Sequence, residues 1–394
     1  MIKTITTEKL PIRLWLHDIE PGAMQQAKNL ANLPFAHSHI AIMPDAHEGY
    51  GMPIGGVLAT KDHIIPNAVG VDIGCGMTAM RTSLREMDTG RLKSIMSSIR
   101  GIIPLGFNHH KHRQDESCMP ELPVERKEAR EKMPVVAREY DNALYQIGTL
   151  GGGNHFIEIQ QDADGFIWLM IHSGSRNIGK QVADHYNKLA SRLNEEWNSR
   201  VPRSWQLAYL PVDQEEGQKY IREMQYCVDF AYANRQMMMS RIMDVVNGMY
   251  HGDVSFEPAV NIAHNFASEE VHHGQRVWVH RKGATQARKG QTGIIPGSQG
   301  TQSYIVRGLG NPDSFESCSH GAGRVMGRKE AIRRLDLKEV IQRLDKKNII
   351  HSIRSQRDLD EAPDAYKDIA TVMQNQSDLV EVMVELNPLA VIKG

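Results

Sequence analysis

Apolar and polar positions along this chain follow two periods. Short apolar runs bounded by Gly, Pro or Ser predict strands at 38–44 (SHIAIMP), VLAT after the Gly-rich turn 45–56, VWVHR (277–281) and SYIVRG (303–308). VGVDIGCGM (69–77) predicts a strand broken by glycines and continued by TAMRTSL. GTLGGGNHFIEI (148–159) reads as a Gly turn running into a strand, and FIWLMIHSGSRNIG (166–179) as a strand ending in a polar turn. LVEVMVEL and AVIK predict two closing strands. Helical spacing predicts helices over 24–33, 88–100, 125–147, 179–198 and 215–249, one opening near Gly323, and another over 364–375. Residues 104–124 show neither period and carry the run His109 to Arg113, which reads as an exposed basic loop. No long Pro- or Ser-rich linker and no repeat interrupts the alternation, which predicts one α+β domain over 1–394.

Charge narrows the partners. Lys plus Arg number 46 and Asp plus Glu 47, a net charge of −1, so bulk positive charge cannot hold a nucleic acid. An anion site must be a local cluster. Four cysteines without a CxxC pair exclude a disulfide framework. The opening MIKTITTEKLPIRLW has no apolar leader core, and no run of ~18 apolar residues predicts a membrane span. A reducing cytosol is the expected compartment.

The 33 glycines and 18 histidines concentrate in short blocks. Several apolar strands stop at a metal-capable side chain: Asp72 and Cys75 in VDIGCG, His155 after GGGN, His172 after WLMI, His264 after VNIA. Asp, Cys and three His suit a borderline divalent ion, and one thiolate can bridge two. Their spacings of 3, 80, 17 and 92 residues match no local zinc motif, so isolated polar strand ends and an inert buried Cys remain the alternative. IPGSQGTQSYIVRG (295–308) has the small residues of a phosphate-holding turn, or of a plain hairpin. In SCSHGAGRVMGRKEAIRR (317–334), His320 precedes the helix expected near Gly323, with Arg324 and Arg328 on its first turns. That arrangement suits an anion, and His320 could serve as a nucleophile. HRKGATQARKG (280–290) is a basic turn that could follow a phosphodiester backbone or simply be solvated.

Taken together, VGVDIGCGM, LGGGNHFIEI, IHSGSRNIG, RKGAT, IIPGSQGTQSYIVRGLG, SHGAGRVM, AYKDI and the terminal VIKG resemble, in this order, the RtcB family of RNA ligases. The likeness runs from MPDAHEGYG at 43–51 to Gly394. It implies a single-domain α+β fold, mixed sheets wrapped by helices around a central cleft with two metals. It implies joining of RNA 2′,3′-cyclic phosphate or 3′-phosphate ends to 5′-hydroxyl ends, with GTP and two Mn²⁺ ions. Asp72, Cys75 and His155 would hold one manganese, and Cys75, His172 and His264 the other. His320 would carry GMP. Asn154 and Arg176 would hold the phosphate being activated. Glu158, Ser298, Ser303, Tyr366 and Lys393 would line the guanine nucleotide pocket. Lys282, Arg324 and Arg328 would meet substrate phosphates. A monomer, with an archease-type activator as a candidate partner, is the expectation. Within MPDAHEGYG, Glu48 and Tyr50 replace the family's commoner filling, closer to MPDVHLGKG, so the first turn is expected to meet RNA differently. A metal-dependent phosphodiesterase would need the metal residues but neither PGSQG nor His320.

Overall fold

A computed structural model describes residues 1–394. Its centre is the apolar run Ile167–Ser173, a strand buried at every position. Period-2 alternation explains why. Ile167, Leu169 and Ile171 pack against Ile95 and Ile99 of helix Thr89–Ile102 and against Met238 and Ile242 of helix Glu215–Met249. Trp168 and Met170 point the other way, toward Ile305, Val391 and Leu344. A strand covered on both faces needs an uninterrupted apolar run, and this one has it.

This strand belongs to a seven-stranded sheet in the order Val260–Ala263, Gly76–Arg81, Ile167–Ser173, Phe156–Asp162, Val380–Lys393, Ser303–Gly308, Thr292–Ile295. Every neighbouring pair is antiparallel. A six-stranded sheet runs Lys3–Ile5, Ile12–Leu14, Ala36–His47, Ile54–Thr60, Gln275–Lys282, Asn265–His272, with one parallel pair, Ile12–Leu14 on Ala36–His47. It too is sandwiched. Ile40, Ile42 and Leu58 face Leu30 of helix Pro21–Ala31, while Met43, Val57 and Val279 face Phe315 and Val372. The fold is α+β, as expected.

The structure departs from the sequence reading at several places. The expected strand 69–77 begins only at Gly76. Pro66–Val69 forms a helical turn, and the chain then bends through Gly70 and Gly74, at φ 97° and 74°. The expected helix 125–147 is two pieces, Ala129–Lys132 and Pro134–Ala143. Pro134 cannot donate a backbone hydrogen bond and forces Met133 to φ −145°, ψ 60°. The helix expected near Gly323 starts at Arg328, so His320 lies in irregular backbone rather than at a helix start. The helix expected over 364–375 is Ile369–Asn375, and it begins where it does because Asp368 caps it, accepting from the Ala370 and Thr371 N–H groups. The two closing strands are one, Val380–Lys393, with its register shifted between Pro388 and Ala390.

Candidate metal and nucleotide site

The sheet gathers the five metal-capable residues at one end. In an antiparallel sheet the start of one strand lies beside the end of its neighbour. Cys75 precedes Gly76–Arg81, His155 precedes Phe156–Asp162, His172 is next to last in Ile167–Ser173, and His264 follows Val260–Ala263. The register places Met77 and Phe156 opposite His172, and Ala263 opposite Gly76. Gly76 allows that last approach, since a Cβ there would lie 1.9 Å from the Ile262 carbonyl oxygen. Arg235, fully buried on the long helix, donates from Nη1 to the carbonyls of Gly74 (3.0 Å) and Ser173 (2.9 Å). It ties the Cys75 turn to the end of the His172 strand.

The donor atoms converge. Cys75 Sγ lies 3.4 Å from His155 Nε2 and 3.3 Å from His172 Nε2. His155 Nε2 is 3.0 Å from Asp72 Oδ2, and His172 Nε2 is 3.3 Å from His264 Nε2. Two triads result, Asp72–Cys75–His155 and Cys75–His172–His264, sharing the thiol.

Hydrogen bonding tests whether cations fit there. His155 Nδ1 donates to the Leu150 carbonyl (2.9 Å) and His172 Nδ1 to the Asn154 carbonyl (3.1 Å). A carbonyl only accepts, so both Nδ1 atoms carry hydrogen, and each ring turns its Nε2 toward the cluster. Burial, helped by neighbouring histidines, holds His172 and His264 well below the usual imidazole range, so both are neutral. His264 Nδ1 is buried without a partner. Lone pairs, a carboxylate and a sulfur facing one another need a positive charge between them. Ligand distances of ~2.0–2.1 Å for N and ~2.3 Å for S put N and S roughly 3.1–3.6 Å apart at angles between 90° and tetrahedral. The observed separations fall inside that window. Burial also pushes the Cys75 thiol well up, so a thiolate at neutral pH requires a bound cation. The residues fit two borderline divalent ions sharing Cys75.

His320 stands beside this cluster, its ring centroid 4.8 Å from that of His264. Its Nδ1 and backbone N–H both donate to Asp45 Oδ2, at 2.6 and 3.1 Å. Asp45 is fully buried, and its Oδ1 has no partner. The turn after His320 presses on the Asp45 backbone so closely that a Cβ on Gly323 would lie 2.1 Å from the Asp45 carbonyl oxygen. Lys367 Nζ donates to the carbonyls of Pro44 (3.1 Å) and Ala46 (2.5 Å), fixing the chain on both sides of Asp45.

Two clefts meet at His320. The first is walled by the Pro296–Gln299 turn, Asn154, Phe156, Glu158, Tyr366 and Lys393, with Arg324, Arg328 and Glu361. Glu158 pairs with Val391 and is buried, and burial pushes its carboxyl up to about 8 against the pull of Lys393. Gln160 Nε2 donates to Glu158 Oε2 (2.6 Å) and to Ser303 Oγ (3.1 Å), so Ser303 supports this wall from behind. Ser298 is held by Thr301, whose Oγ1 accepts from Ser298 N–H at 2.7 Å. Glu361 is the hub: it accepts from Arg324 (3.0 Å), Arg328 (2.8 Å) and the Tyr366 hydroxyl, with Lys393 Nζ 4.0 Å away. Arg324 also donates to the carbonyls of Met326 and Asp360. Arg328 is half exposed and borders both clefts.

The second cleft is bordered by Asp72, Cys75 and His264 together with Tyr50, Val71 and Lys282. Lys282 Nζ donates to the carbonyls of Tyr50 (2.6 Å) and Asn67 (2.9 Å), and burial pushes its amine down to about 7. Arg176 lines neither cleft. It stands behind the His155 turn, donating to Thr149 Oγ1 (3.1 Å) and the Gly106 carbonyl (3.3 Å).

Comparison with known proteins agrees with this geometry. A family model described as tRNA-splicing ligase RtcB matches residues 26–394. The chain is 39% identical to the RNA-splicing ligase RtcB of Escherichia coli (strain K12), covering 99% of both chains. It is 31% identical to the tRNA-splicing ligase RtcB of Thermococcus kodakarensis, over 94% of this chain and 91% of that one. The chain belongs to the RtcB family.

Three residues of this RtcB site escaped the sequence reading. Asp45 lies inside the MPDAHEGYG block, where a carboxylate among small residues was a usable signal. Arg235 shares helical spacing with the buried Ala231, Met238 and Ile242, and a charge on an apolar face was the signal there. Glu361, which ends the 3₁₀ helix Gln356–Glu361, had none.

Proposed function

We propose that this RtcB-family chain is a GTP- and manganese-dependent ligase, one unit over 1–394, that joins RNA 2′,3′-cyclic phosphate or 3′-phosphate ends to 5′-hydroxyl ends. The observation that carries it is the position of His320 where the cleft lined by Glu158, Ser298, Tyr366 and Lys393 meets the metal-donor cluster. With Nδ1 hydrogen-bonded to Asp45, His320 keeps its Nε2 lone pair for the α-phosphorus of GTP. A nitrogen–phosphorus bond forms, the α–β bridging bond breaks, and pyrophosphate leaves. An oxygen of the RNA 3′-phosphate then takes GMP from His320, giving an RNA-3′-pp-5′-G end. The 5′-hydroxyl oxygen attacks the RNA-side phosphorus, loses its proton, and expels GMP. A cyclic end is first opened by water to a 3′-phosphate.

Two Mn²⁺ ions, held by Asp72, Cys75 and His155 and by Cys75, His172 and His264, would supply Lewis-acid charge to phosphoryl oxygens. The Glu158 carboxyl, kept protonated near neutral pH by its burial, offers its carbonyl oxygen to the N–H edge of guanine, with Ser303 behind it and Ser298, Tyr366 and Lys393 completing the pocket. Asn154 and Arg328, at the junction of the clefts, meet the phosphate being activated. Arg324 positions Glu361 and Tyr366, and Arg176 adds positive charge behind Asp72. Lys282 holds the rim of the second cleft beside the RNA end.

Purified protein incubated with α-labelled GTP and Mn²⁺, then run on a denaturing gel and mapped by mass spectrometry, should carry GMP on His320. His320→Ala should abolish the label. Label retained by that variant would refute the nucleophile assignment.

A further inference from the structure

Tyr50 is an aromatic side chain 72% exposed to solvent. Single exposed apolar side chains are common on protein surfaces, and what sets this one apart is its place at the rim of a reaction cleft, where a substrate can cover it. Tyr50 borders the second cleft, the one that also contains Asp72, Cys75, His264 and His320. Val71, 52% exposed, borders it as well. The two come from different segments, the loop between strands Ala36–His47 and Ile54–Thr60 and the turn after Pro66–Val69.

These segments are fastened together. Lys282 Nζ joins the Tyr50 and Asn67 carbonyls, and Asn67 Nδ2 donates to the Gln206 carbonyl at 2.8 Å. Gly51 is held at φ 69° with its α-carbon pressed on the same Gln206 carbonyl. The backbone under Tyr50 is therefore fixed while its ring is open. The neighbouring carboxylate of Glu48 rests against Gly22 at the first turn of helix Pro21–Ala31, which leaves the Tyr50 ring as the broad apolar surface of this rim.

We infer that Tyr50, backed by Val71, is a stacking platform for an unpaired nucleobase at the RNA end entering the second cleft. Every base has a π-face, so a ring held at a fixed place aligns an end without reading its sequence. With the base on Tyr50, the terminal phosphate or hydroxyl extends toward His320 and the metal-donor cluster. This inference rests on the proposed RNA-ligase function and deepens it.

The test is equilibrium binding of fluorescent single-stranded RNA, measured by anisotropy on the full chain with Mn²⁺, for wild type, Tyr50→Ala and Tyr50→Phe. One oligonucleotide ends in a 3′-phosphate, the other begins with a 5′-hydroxyl. Each is made intact and with an abasic terminal nucleotide. Tyr50→Ala should weaken binding of one intact end about 5- to 150-fold, the equivalent of the ~1–3 kcal/mol of a base–aromatic stack. Tyr50→Phe should bind like wild type. Removing the base should weaken the wild type equally and leave Tyr50→Ala unaffected, and the end that shows this coupling is the one bound. Unchanged affinity in Tyr50→Ala, or base and ring losses that simply add for both ends, would overturn the inference. Guanylylation of the same samples needs no RNA and reads the ligase proposal separately. Absent labelling in wild type would count against that proposal while the binding cycle still decides the role of Tyr50.

Discussion

Replacing Asp45 by Asn removes one charge from a buried site and almost no volume. Asp45 Oδ2 accepts from both Nδ1 and the backbone N–H of His320, and Oδ1 has no partner. The amide can settle in two ways. If its oxygen takes the place of Oδ2, both bonds persist without charge assistance, and a buried NH₂ is left unpaired. Losing charge assistance or leaving a buried donor unpaired costs roughly 1.5–3 kcal/mol, about 10- to 150-fold in rate if the imidazolium character of His320 grows in the transition state. If its nitrogen faces His320 instead, Nδ1 must become an acceptor. The proton then moves to Nε2 and blocks the lone pair that would attack. The corresponding Asp-to-Asn change in the Ser-His-Asp template costs about 10⁴-fold. Guanylylation by Asp45→Asn should therefore slow between about 10- and 10⁴-fold in single-turnover assays at saturating GTP. Affinity for GTP should stay near wild type, because Asp45 does not line the first cleft, where the proposed function seats the nucleotide. A rate within twofold of wild type would refute the reasoning, as would a loss confined to GTP affinity. A melting temperature near wild type serves as the folding control.

Metal stoichiometry should follow the shared thiol. Calorimetric titration with Mn²⁺ should count two ions for wild type, one for His155→Ala and none for Cys75→Ala, and two retained ions in Cys75→Ala would contradict a bridging Cys75. Saturation at 100 times the dissociation constant should stabilise the wild type by about 2.7 kcal/mol per site, read as a rise in melting temperature that Cys75→Ala lacks. Glu158 should make stability pH-dependent. Its folded carboxyl titrates near 8, above the usual carboxylate range, so between roughly pH 4.5 and 8 the unfolded chain loses this proton and the folded chain keeps it. Its contribution to stability should fall as pH rises through that window, by up to ~1.4 kcal/mol per pH unit. Urea denaturation of Glu158→Gln at pH 5.5 and 7.5 should show a shallower decline than wild type, and equal declines would refute the assignment.

Much of the fold was legible because burial writes itself into period. The run Ile167–Ser173 and the long helix Glu215–Met249 both read correctly, since each must present apolar side chains to neighbours on known faces. The errors share a cause as well. Pro134 and the positive-φ glycines at 70 and 74 act over one or two residues, beneath the length over which a period can be counted, and the irregular backbone at 320–327 has no period to count. Strand Asn265–His272 was missed because its SEEVHH end carries polar side chains that only pairing with Gln275–Lys282 holds in place.

The sequence alone determined which residues can do chemistry. It held one thiol, one carboxylate and three imidazoles at the ends of apolar strands, a Gly-Ser turn, and a histidine among small residues. Their order along the chain also carried the family resemblance. Tertiary structure decided which of them meet. Residues up to 97 positions apart in sequence come within 3.4 Å because antiparallel pairing lays the start of one strand beside the end of the next. Tertiary structure alone also supplied Asp45 to His320 and Glu361 to the arginines, since a buried charge is satisfied by whichever partner the folded chain brings within hydrogen-bond reach.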